Sequence, residues 1–208
     1  MKRSILSLCD ASGVWSQPYV AAGYEVTRVD LVYKPGKKRI AENLWHVGCD
    51  LLKTDFSGKK FYAILAAPPC CCFCRPGARW WVRMDASGET ARAVAVFRKC
   101  LEIAKQAKAW WALENPPGRH QRLIPELGRP NFQYQPWEYG DDWTKQTYIW
   151  GTAVKPPVPP SALRPLPLTY RTPNGHTQGR ISRMSSSWKS AREQTPQGFA
   201  RAFFLSNP

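Results

Sequence analysis

A short apolar run that ends in a proline-rich cysteine loop constrains this chain more than any other stretch. The run covers residues 61–65, and the loop after it, residues 66–74, reads Ala-Ala-Pro-Pro-Cys-Cys-Cys-Phe-Cys. An apolar run that is closed abruptly by Pro68 and Pro69 is typical of a buried strand. Open α/β sheets bind their ligands just beyond the carboxyl ends of strands. The sequence therefore places Cys70 where chemistry would occur.

Three interpretations of this cysteine loop stay open on the residues alone. A thiol that is held by two rigid prolines is a candidate nucleophile. A free cysteine is also commonly a small buried hydrophobe. Metal binding is the third interpretation, because Cys71, Cys72 and Cys74 crowd around Cys70. Adjacent cysteines do not converge easily on one ion, and no second Cys-x-x-Cys or histidine pair follows at zinc spacing, so we predict no metal.

The start of the chain follows the order of a nucleotide-binding α/β unit. Residues 4–9 read as a strand, residues 10–13 as a glycine turn, residues 14–22 as a helix and residues 24–31 as a second strand. This second strand ends on Asp30, where a carboxylate can reach the hydroxyls of a ribose. The pattern predicts a Rossmann-like α/β fold that holds a ligand at the turn.

Two further carboxylates follow predicted strands. Residues 110–113 are apolar and lead directly into Glu114. An acid at the end of a strand beside the Cys70 strand is a candidate for proton transfer, although such an acid can also simply begin a turn. Asp50 follows another candidate strand, and it is either an ordinary loop acid or a group beside the adenine of a bound nucleoside.

The charge of the chain indicates a nucleic-acid partner. Its 208 residues carry a formal net charge of +15, and its ten tryptophans offer surfaces for base stacking. Basic proteins of this kind neutralise phosphates and release the counterions around them. A free nucleotide needs no broad basic surface, so the charge disfavours a small substrate.

Two segments hold most of the basic residues that we predict to contact nucleic acid. Residues 75–83 combine arginine with tryptophan and are predicted to form a mobile surface loop, with an ordinary solvated loop as the alternative. Residues 152–190 are interrupted by prolines and predict an extended basic arm. The predicted contacts, with one lysine between the two segments, are Arg75, Arg79, Arg83, Lys145, Arg164, Arg171, Arg180 and Arg183.

These features divide the chain into a catalytic domain over residues 1–151, the arm over 152–190 and a C-terminal helix over 191–208 that packs back on the domain. Thr195 is the predicted cap of that helix, and Pro196 is its predicted first residue. No signal peptide opens the chain, and no apolar run is long enough to cross a bilayer. We therefore expect a monomeric cytoplasmic protein with reduced thiols and no membrane partner.

Three motifs, taken in their order along the chain, resemble those of the DNA (cytosine-5) methyltransferases. The nucleophile loop of that family, Pro-Pro-Cys-Gln-x-Phe-Ser, is similar to residues 68–74. Its Glu-Asn-Val motif is similar to residues 114–116, and its glycine motif resembles residues 8–13. The chain is identified as a short phage-type member, through residues 16–19, 145–151 and 195–200.

The resemblance implies a Rossmann-like S-adenosylmethionine-dependent methyltransferase fold and transfer of a methyl group to C5 of cytosine in DNA, with RNA not excluded. It implies that Cys70 attacks C6 of a flipped base and that Glu114 is the acid at N3. A phage origin would put the protein in the host cytoplasm. The cofactor is expected to be S-adenosylmethionine or a modified form of it, held by Asp10, Ser12, Gly13, Asp30, Asp50 and Pro68.

The chain departs from the family pattern at three residues and in its target-recognition domain, for which the short arm over residues 152–190 stands. Cys71 stands where the family has glutamine, Asp10 stands where it has a small residue, and Lys145 opens what is an arginine-rich strand in the family. Asp10 could contact the amine of the methionine moiety or could indicate a modified cofactor. Two alternatives stay open: the same scaffold with a modified group or an RNA acceptor, and a non-catalytic basic nucleic-acid-binding protein whose cysteine loop is structural.

Overall fold

The computed structural model describes residues 3–56, 58–162 and 193–208, and the backbone of residues 169–171 and 177–179. Its strands are β1 (Ser4–Leu8), β2 (Glu25–Ala41), β3 (Leu44–Gly48), β4 (Ala63–Ala66), β5 (Trp110–Asn115), β6 (Phe132–Tyr134), β7 (Thr147–Gly151), β8 (Thr169–Arg171) and β9 (Thr177–Gly179). The first seven strands form one sheet in the order β3-β2-β1-β4-β5-β7-β6, and β8 pairs with β9 separately.

The helices connect these strands and cover the sheet. They are α1 (Gln17–Ala21), α2 (Trp81–Ala86), α3 (Glu89–Gln106), α4 (His120–Leu123) and α5 (Gln197–Ser206). Short 3₁₀ turns lie at Leu51–Lys53, Arg75–Trp80, Pro125–Leu127 and Pro136–Tyr139. Among the helices that the structure describes, none has the length and the apolar character to cross a membrane.

The direction of the strands confirms the predicted Rossmann-like α/β fold. β1 pairs in parallel with β2 on one side and with β4 on the other, and β4 pairs in parallel with β5. β7 runs antiparallel between β5 and β6. The strand order therefore reverses direction at β1 and β4, and such a switch point opens a crevice at the carboxyl ends of the strands.

The central strands are apolar on both faces because both faces of the sheet are covered. All four residues of β4 are buried. Ile64 belongs to the core cluster under α3, which includes Phe97, whereas Leu65 belongs to the cluster under α5, which includes Phe203. Successive side chains of a strand point to opposite faces, so a strand covered on both sides reads as a continuous apolar run.

β2 differs from its prediction, because it does not end at Asp30. Its first half pairs in parallel with β3, with Val29 beside Val47. After Asp30 the chain turns, and its second half returns along the other edge of β3, where Lys37 now lies beside Val47 and the pairing runs in the opposite direction. The prediction failed here because this second half is exposed and basic and lacks the apolar alternation that marks a half-buried strand.

Gly48 permits this turn at the end of β3. A Cβ atom at this position would lie 2.1 Å from the carbonyl oxygen of Lys34 and 2.4 Å from that of Tyr33. Backbone oxygens cannot move away as a flexible side chain would, so only glycine lets the chain pass this closely.

Two helical predictions also need correction. α1 begins at Gln17 rather than at residue 14, because the Ser16 side chain binds elsewhere and Pro18 favours the first helical turn. Residues 75–83 were predicted to be a loop, but they form a 3₁₀ turn that runs into α2. Met84 is buried, and the Arg119 guanidinium lies 4.4 Å from the centre of the Trp81 ring, so packing stabilises this helix.

The C-terminal helix starts later than predicted. α5 begins at Gln197, and Pro196 occupies the cap position without a side-chain cap. Thr195 is therefore not the cap, and its hydroxyl is bonded inside the cavity described below. The buried face of α5 includes Phe199, which stacks on Tyr134 with ring centres 3.5 Å apart.

We expect Phe199→Ala to lower the free energy of unfolding by about 3–5 kcal/mol, because a fully buried ring would leave a cavity. Chemical denaturation measures this loss. Leu205→Ala on the same helix is the control, since Leu205 is 71% exposed and its truncation should change stability by less than about 0.5 kcal/mol. Equal losses for the two variants would contradict the packing of α5.

Candidate active site

A cavity of about 500 Å³ lies at the carboxyl edge of the sheet, at the switch point between β1 and β4. This volume is within the range of small-molecule and cofactor sites, about 300–1,000 Å³. The segments that follow β1, β4 and β5 all contribute to its wall. The predicted site residues that line it are Asp10, Ser12, Asp30, Pro68, Cys70, Glu114 and Lys145.

The cysteine loop forms one helical turn beside this cavity. The backbone N–H groups of Phe73 and Cys74 both donate to the carbonyl oxygen of Cys70 at 2.9 Å. Residues four apart lie on the same side of a helical turn, so the thiols of Cys70 and Cys74 meet and share a hydrogen bond. Cys72 points away into the core, and Cys71 is exposed.

The shared hydrogen bond sets the charge of the thiol pair. It lowers the pKa of Cys74 to about 7, and together with burial it raises the pKa of Cys70. Both shifts reflect the same interaction, in which the Cys70 thiol donates towards the sulfur of Cys74. The nearby Lys145 ammonium favours a thiolate on either of them. Near neutral pH the thiolate of the pair is therefore that of Cys74, and Cys70, which lines the cavity, is its protonated partner.

Glu114 is a buried carboxyl group at the end of β5. Its side chain is 5% exposed, and one of its oxygens lies 3.9 Å from the ammonium of Lys145. The hydroxyl of Thr195 donates to the carboxylate. Burial raises the pKa of Glu114, and Lys145 opposes this rise. Glu114 is thus more readily protonated than an exposed glutamate, which suits a group that donates a proton.

Lys145 is brought to the cavity by β7, which it precedes by two residues. β7 runs antiparallel to β5, and the pairing sets Ile149 beside Glu114. The ammonium of Lys145 lies within 3.5 Å of the carbonyl oxygen of Gln194, and its side chain is 13% exposed. The sequence predicted Lys145 as one of the basic contacts around the two surface segments. The structure places it deep beside Glu114.

The glycine turn is braced from below by a buried network. The carboxylate of Asp10 accepts hydrogen bonds from Ser7 at 2.8 Å and from Ser16 at 2.6 Å. Arg28, which is buried, donates to the Ser16 hydroxyl at 2.8 Å and to the Gly13 carbonyl oxygen at 2.9 Å. The carboxylate of Asp10 therefore accepts two hydrogen bonds from within the protein, although the residue still borders the cavity.

Gly13 supports the turn and is not part of the cavity wall. Its φ is +70°, and a Cβ atom there would lie 2.3 Å from the Arg28 guanidinium. Sequence reasoning missed Arg28. The sequence did hold one signal: Arg28 lies two residues after the apolar Val26, so both side chains point to the same face of the strand. A cation buried on that face needs hydrogen-bond partners.

Asp30 and Asp50, the two acids predicted to contact the nucleoside, lie in different settings. Asp30 borders the cavity, and burial raises the pKa of its half-buried carboxyl group. Asp50 does not border the cavity. Its carboxylate accepts from the Leu52 N–H at 3.1 Å and pairs with Arg92 at 3.0 Å. The structure thus brings Asp30 to the predicted site and holds the side chain of Asp50 elsewhere.

Two residues outside the predicted set hold the nucleophile loop in place. The Asn115 side chain donates to the carbonyl oxygen of Pro68 at 2.7 Å. Its own oxygen then accepts from Nε2 of His120 at 2.8 Å. The His120 ring stacks on Phe73 with ring centres 4.8 Å apart. No sequence signal pointed to His120, because its role depends on contacts between distant segments.

Arg119 ties the far side of the same loop. Its guanidinium donates to the carbonyl oxygen of Cys72 at 2.8 Å and to both carboxylate oxygens of Asp85 at 2.8 and 2.6 Å. The ion pair lowers the pKa of Asp85 to about 2. A bidentate pair of this kind fixes geometry as well as charge, so the loop is held between α2 and the end of β5.

Three of the predicted nucleic-acid contacts, Arg75, Arg79 and Arg83, are exposed. Arg75 borders a second, smaller cavity. The guanidinium groups of Arg79 and Arg83 lie 5.0 and 5.6 Å from the centre of the half-exposed Trp80 ring. Three further predicted contacts lie outside the described residues, namely Arg164, Arg180 and Arg183. For Arg171 the structure describes only the backbone, which lies in β8.

The cysteines of the loop do not converge on one point. In residues 3–56, 58–162 and 193–208, no three histidine, cysteine, aspartate or glutamate side chains come close enough to hold a metal ion together.

No family model matches the chain, and no curated protein matches it. Solved structures that it resembles include 1,6-didemethyltoxoflavin-N1-methyltransferase of Burkholderia thailandensis, at 14% identity over 73% of this chain and 71% of the other, with a TM-score of 0.42. A mutant form of the 16S rRNA (adenine(1408)-N(1))-methyltransferase of Catenulisporales acidiphilia matches at 16% identity over 74% and 86%, with a TM-score of 0.37.

The CcbJ methyltransferase of Streptomyces caelestis is similar at 16% identity over 64% of this chain, with a TM-score of 0.34. The alignment spans about half of CcbJ, 49% of its length. Each of these three proteins is a methyltransferase. Likeness at this level carries no argument about the reaction, so the proposal below rests on the site itself.

We expect His120 to make stability depend on pH. Burial lowers its pKa to about 4, whereas an unfolded histidine titrates near about 6.5. The unfolded chain therefore binds the extra proton first, so this stability is complete above the unfolded pKa and is lost as the pH falls towards 4. From pH 7 to pH 5 the loss should be about 2 kcal/mol.

Denaturant titrations at pH 7 and pH 5 measure this difference. His120→Gln keeps a neutral donor for Asn115 and should remove most of the pH dependence. His46→Gln is the matched control. Burial lowers the pKa of His46 as well, but this residue is only half-buried, so the variant should retain most of the pH dependence. An unchanged pH dependence in His120→Gln would show that His120 is not the responsible group.

Proposed function

We propose that the protein transfers a methyl group from S-adenosylmethionine to C5 of cytosine in DNA. One observation carries the proposal: a thiol, a buried carboxyl group and an ammonium share one cavity at the carboxyl edge of the sheet, namely those of Cys70, Glu114 and Lys145. These three groups supply a nucleophile, an acid and a fixed positive charge. Addition to C6 of cytosine needs a nucleophile and an acid, and a nearby positive charge favours the thiolate that attacks.

The β1 side of the cavity fits S-adenosylmethionine. Asp30 offers a half-buried carboxylate that can accept from ribose hydroxyls, and the backbone around Ser12 and Pro68 closes the wall. Asp10 and Asp30 suit a ligand with a cationic sulfur and an amine, and they disfavour a modified form with an added carboxylate. When bound, S-adenosylmethionine supplies an electrophilic methyl group.

Cys70 would begin and end the reaction at C6. Its sulfur forms a bond to C6 as a thiolate, and the electron pair of the C5–C6 double bond becomes available for the methyl group at C5. The methyl group would reach C5 as its bond to the sulfonium sulfur breaks, with S-adenosylhomocysteine as the leaving group. Water would then accept the hydrogen on C5, the electron pair of that C–H bond would restore the C5–C6 double bond, and the sulfur of Cys70 would leave C6 as a thiolate. The proton on N3 would return to the Glu114 carboxylate. Cys74 can hold the proton that Cys70 gives up, because the two thiols share a hydrogen bond.

Glu114 and Lys145 would control charge on the ring during this addition. Negative charge builds at N3 when sulfur attacks C6, and a protonated Glu114 can neutralise it by donating a proton. The ammonium of Lys145 stabilises the thiolate before the attack and the carboxylate after the proton has moved. Such preorganised charge acts strongly because the site is largely buried.

Nucleic acid is favoured as the acceptor by the net charge of +15 and by the resemblance of residues 68–74 to the nucleophile loop of DNA (cytosine-5) methyltransferases. A purely structural role for the cysteine loop fits less well, because Cys70 borders the cavity beside a lysine rather than packing in the core. Incubation with DNA or RNA and labelled S-adenosylmethionine, followed by nucleoside mass spectrometry, tests both the acceptor and the position of the methyl group.

We expect Cys70→Ser to reduce turnover by about 10³-fold or more, since it removes the attacking thiolate. The wild type should also form a denaturation-resistant adduct with DNA that contains 5-fluorocytosine, because fluorine cannot leave as a proton does. Cys72→Ser is the control, because Cys72 is buried away from the cavity and should still form the adduct. Peptide mapping of the adduct to a cysteine other than Cys70 would contradict the assignment.

We expect Glu114→Gln to lower turnover by about 10²- to 10⁴-fold, because glutamine keeps the shape but has no acidic proton to donate. The affinity for DNA should change little, and fluorescence anisotropy measures it separately from turnover. Glu126→Gln is the control, because that glutamate pairs with Arg98 on the surface. Near-normal turnover in Glu114→Gln would contradict the assignment of Glu114 as the proton donor and would indicate a structural role.

A further inference from the structure

The second half of β2 forms an exposed basic strand that the predicted contacts do not include. We call residues 31–41 the basic ribbon. All of them are exposed except the half-buried Tyr33. The ribbon contains no acidic residue, and its positive charges come from Lys34, Lys37, Lys38 and Arg39.

The ribbon starts at the mouth of the cavity. Its first residue directly follows Asp30, which borders the cavity. The Tyr33 hydroxyl donates to the carbonyl oxygens of Asp10 at 2.8 Å and of Ala11 at 3.2 Å. These bonds connect the ribbon to the turn that forms the cavity wall, so a molecule bound along the ribbon would reach the site.

Side-chain contacts hold part of the positive charge in place. The Lys37 ammonium lies 4.3 Å from the centre of the Trp45 ring, and the Arg39 guanidinium lies 5.6 Å from it. Arg39 also donates to the carbonyl oxygen of Glu42 at 2.7 Å. A cation that is already positioned loses less side-chain entropy when it binds an anion.

Protection of a sheet edge is the simpler explanation for lysines on such a strand, because charge on an edge prevents pairing with other chains. That explanation does not account for Leu31 and Val32, which are 62% and 70% exposed next to these cations. Exposed apolar side chains beside fixed positive charge, at the mouth of a cavity, are more typical of a contact surface.

We infer that the basic ribbon binds the phosphate backbone of the nucleic acid whose base enters the cavity. This inference rests on the proposed function for the identity of the polyanion. The ribbon supplies backbone contacts, which position a nucleic acid and carry no sequence information. The ribbon belongs to the described part of the chain and is a different stretch of sequence from the predicted arm over residues 152–190.

The test compares two triple variants that remove equal charge. The first is Lys34→Gln, Lys37→Gln and Lys38→Gln, all on the ribbon. The second, the control, is Lys59→Gln, Lys60→Gln and Lys105→Gln. These three exposed lysines precede β4 and β5, at the amino ends of the strands and away from the cavity at their carboxyl ends. Binding of a labelled DNA duplex is measured by anisotropy between 50 and 200 mM salt, without S-adenosylmethionine.

We expect the ribbon variant to bind more weakly than the control, with a log–log salt slope shallower by about 2–3, since each phosphate contact contributes about 0.9. The wild-type affinity should then fall about 40-fold further than that of the variant over this salt range. A slope and affinity equal to those of the control would overturn the inference. Circular dichroism and denaturation of both variants establish that each is folded.

Further arms of the experiment separate this inference from the proposed function. If the ribbon variant loses DNA binding while the wild type methylates nothing, the result supports the inference about the ribbon and contradicts the proposed reaction. If the wild type methylates DNA and the ribbon variant binds it normally, only the ribbon fails. Binding to vesicles of phosphatidylserine and phosphatidylcholine is measured in parallel. The inference about the ribbon would also be overturned if the ribbon variant lost binding to vesicles but not to DNA, or if the wild type bound no DNA.

Discussion

Parallel pairing of β4 with β5 is the constraint on which the rest of the site depends. The register keeps the two strands level at their carboxyl ends, so the loops after them begin side by side. Cys70 and Glu114 are far apart in the chain and border one cavity for this reason. Asn115 then joins the loops by donating to the carbonyl oxygen of Pro68 at 2.7 Å. Without this pairing, the thiol and the carboxyl group would belong to separate surfaces.

The distribution of charge separates two kinds of ligand. Acidic groups border the cavity on its β1 side at Asp10 and Asp30, where a cationic small molecule would be stabilised. Most basic side chains among the described residues lie outside the cavity, including those of the basic ribbon that begins next to Asp30. Lys145 is the exception, because its ammonium is held inside by Glu114. On the proposed function, the basic exterior would attract the nucleic acid, and the mixed interior would receive its base together with a cationic methyl donor.

Much of the central architecture was predictable from local patterns. Apolar runs closed by prolines or by a glycine turn predicted β1, β4 and β5, and the order of these signals predicted the α/β fold. The positions of Cys70 and Glu114 after their strands followed from the same patterns. The prediction failed where a residue serves a distant partner rather than its own segment. Thr195 was read as a helix cap, but its hydroxyl is bonded to Glu114. The second half of β2 is a strand only because the edge of β3 was available to pair with it.

By itself, the sequence determined β1, β4 and β5 and the chemical groups at their carboxyl ends, because these depend on local hydrophobicity and on the backbone limits of proline and glycine. Only the tertiary structure decided which groups meet. Lys145 was one basic residue among many until antiparallel pairing of β7 with β5 brought it beside Glu114. Arg28 and His120 gained their roles from burial against the glycine turn and the cysteine loop. Burial also raises the pKa of Glu114, because desolvation depends on all the segments that surround a group, and no local pattern records them.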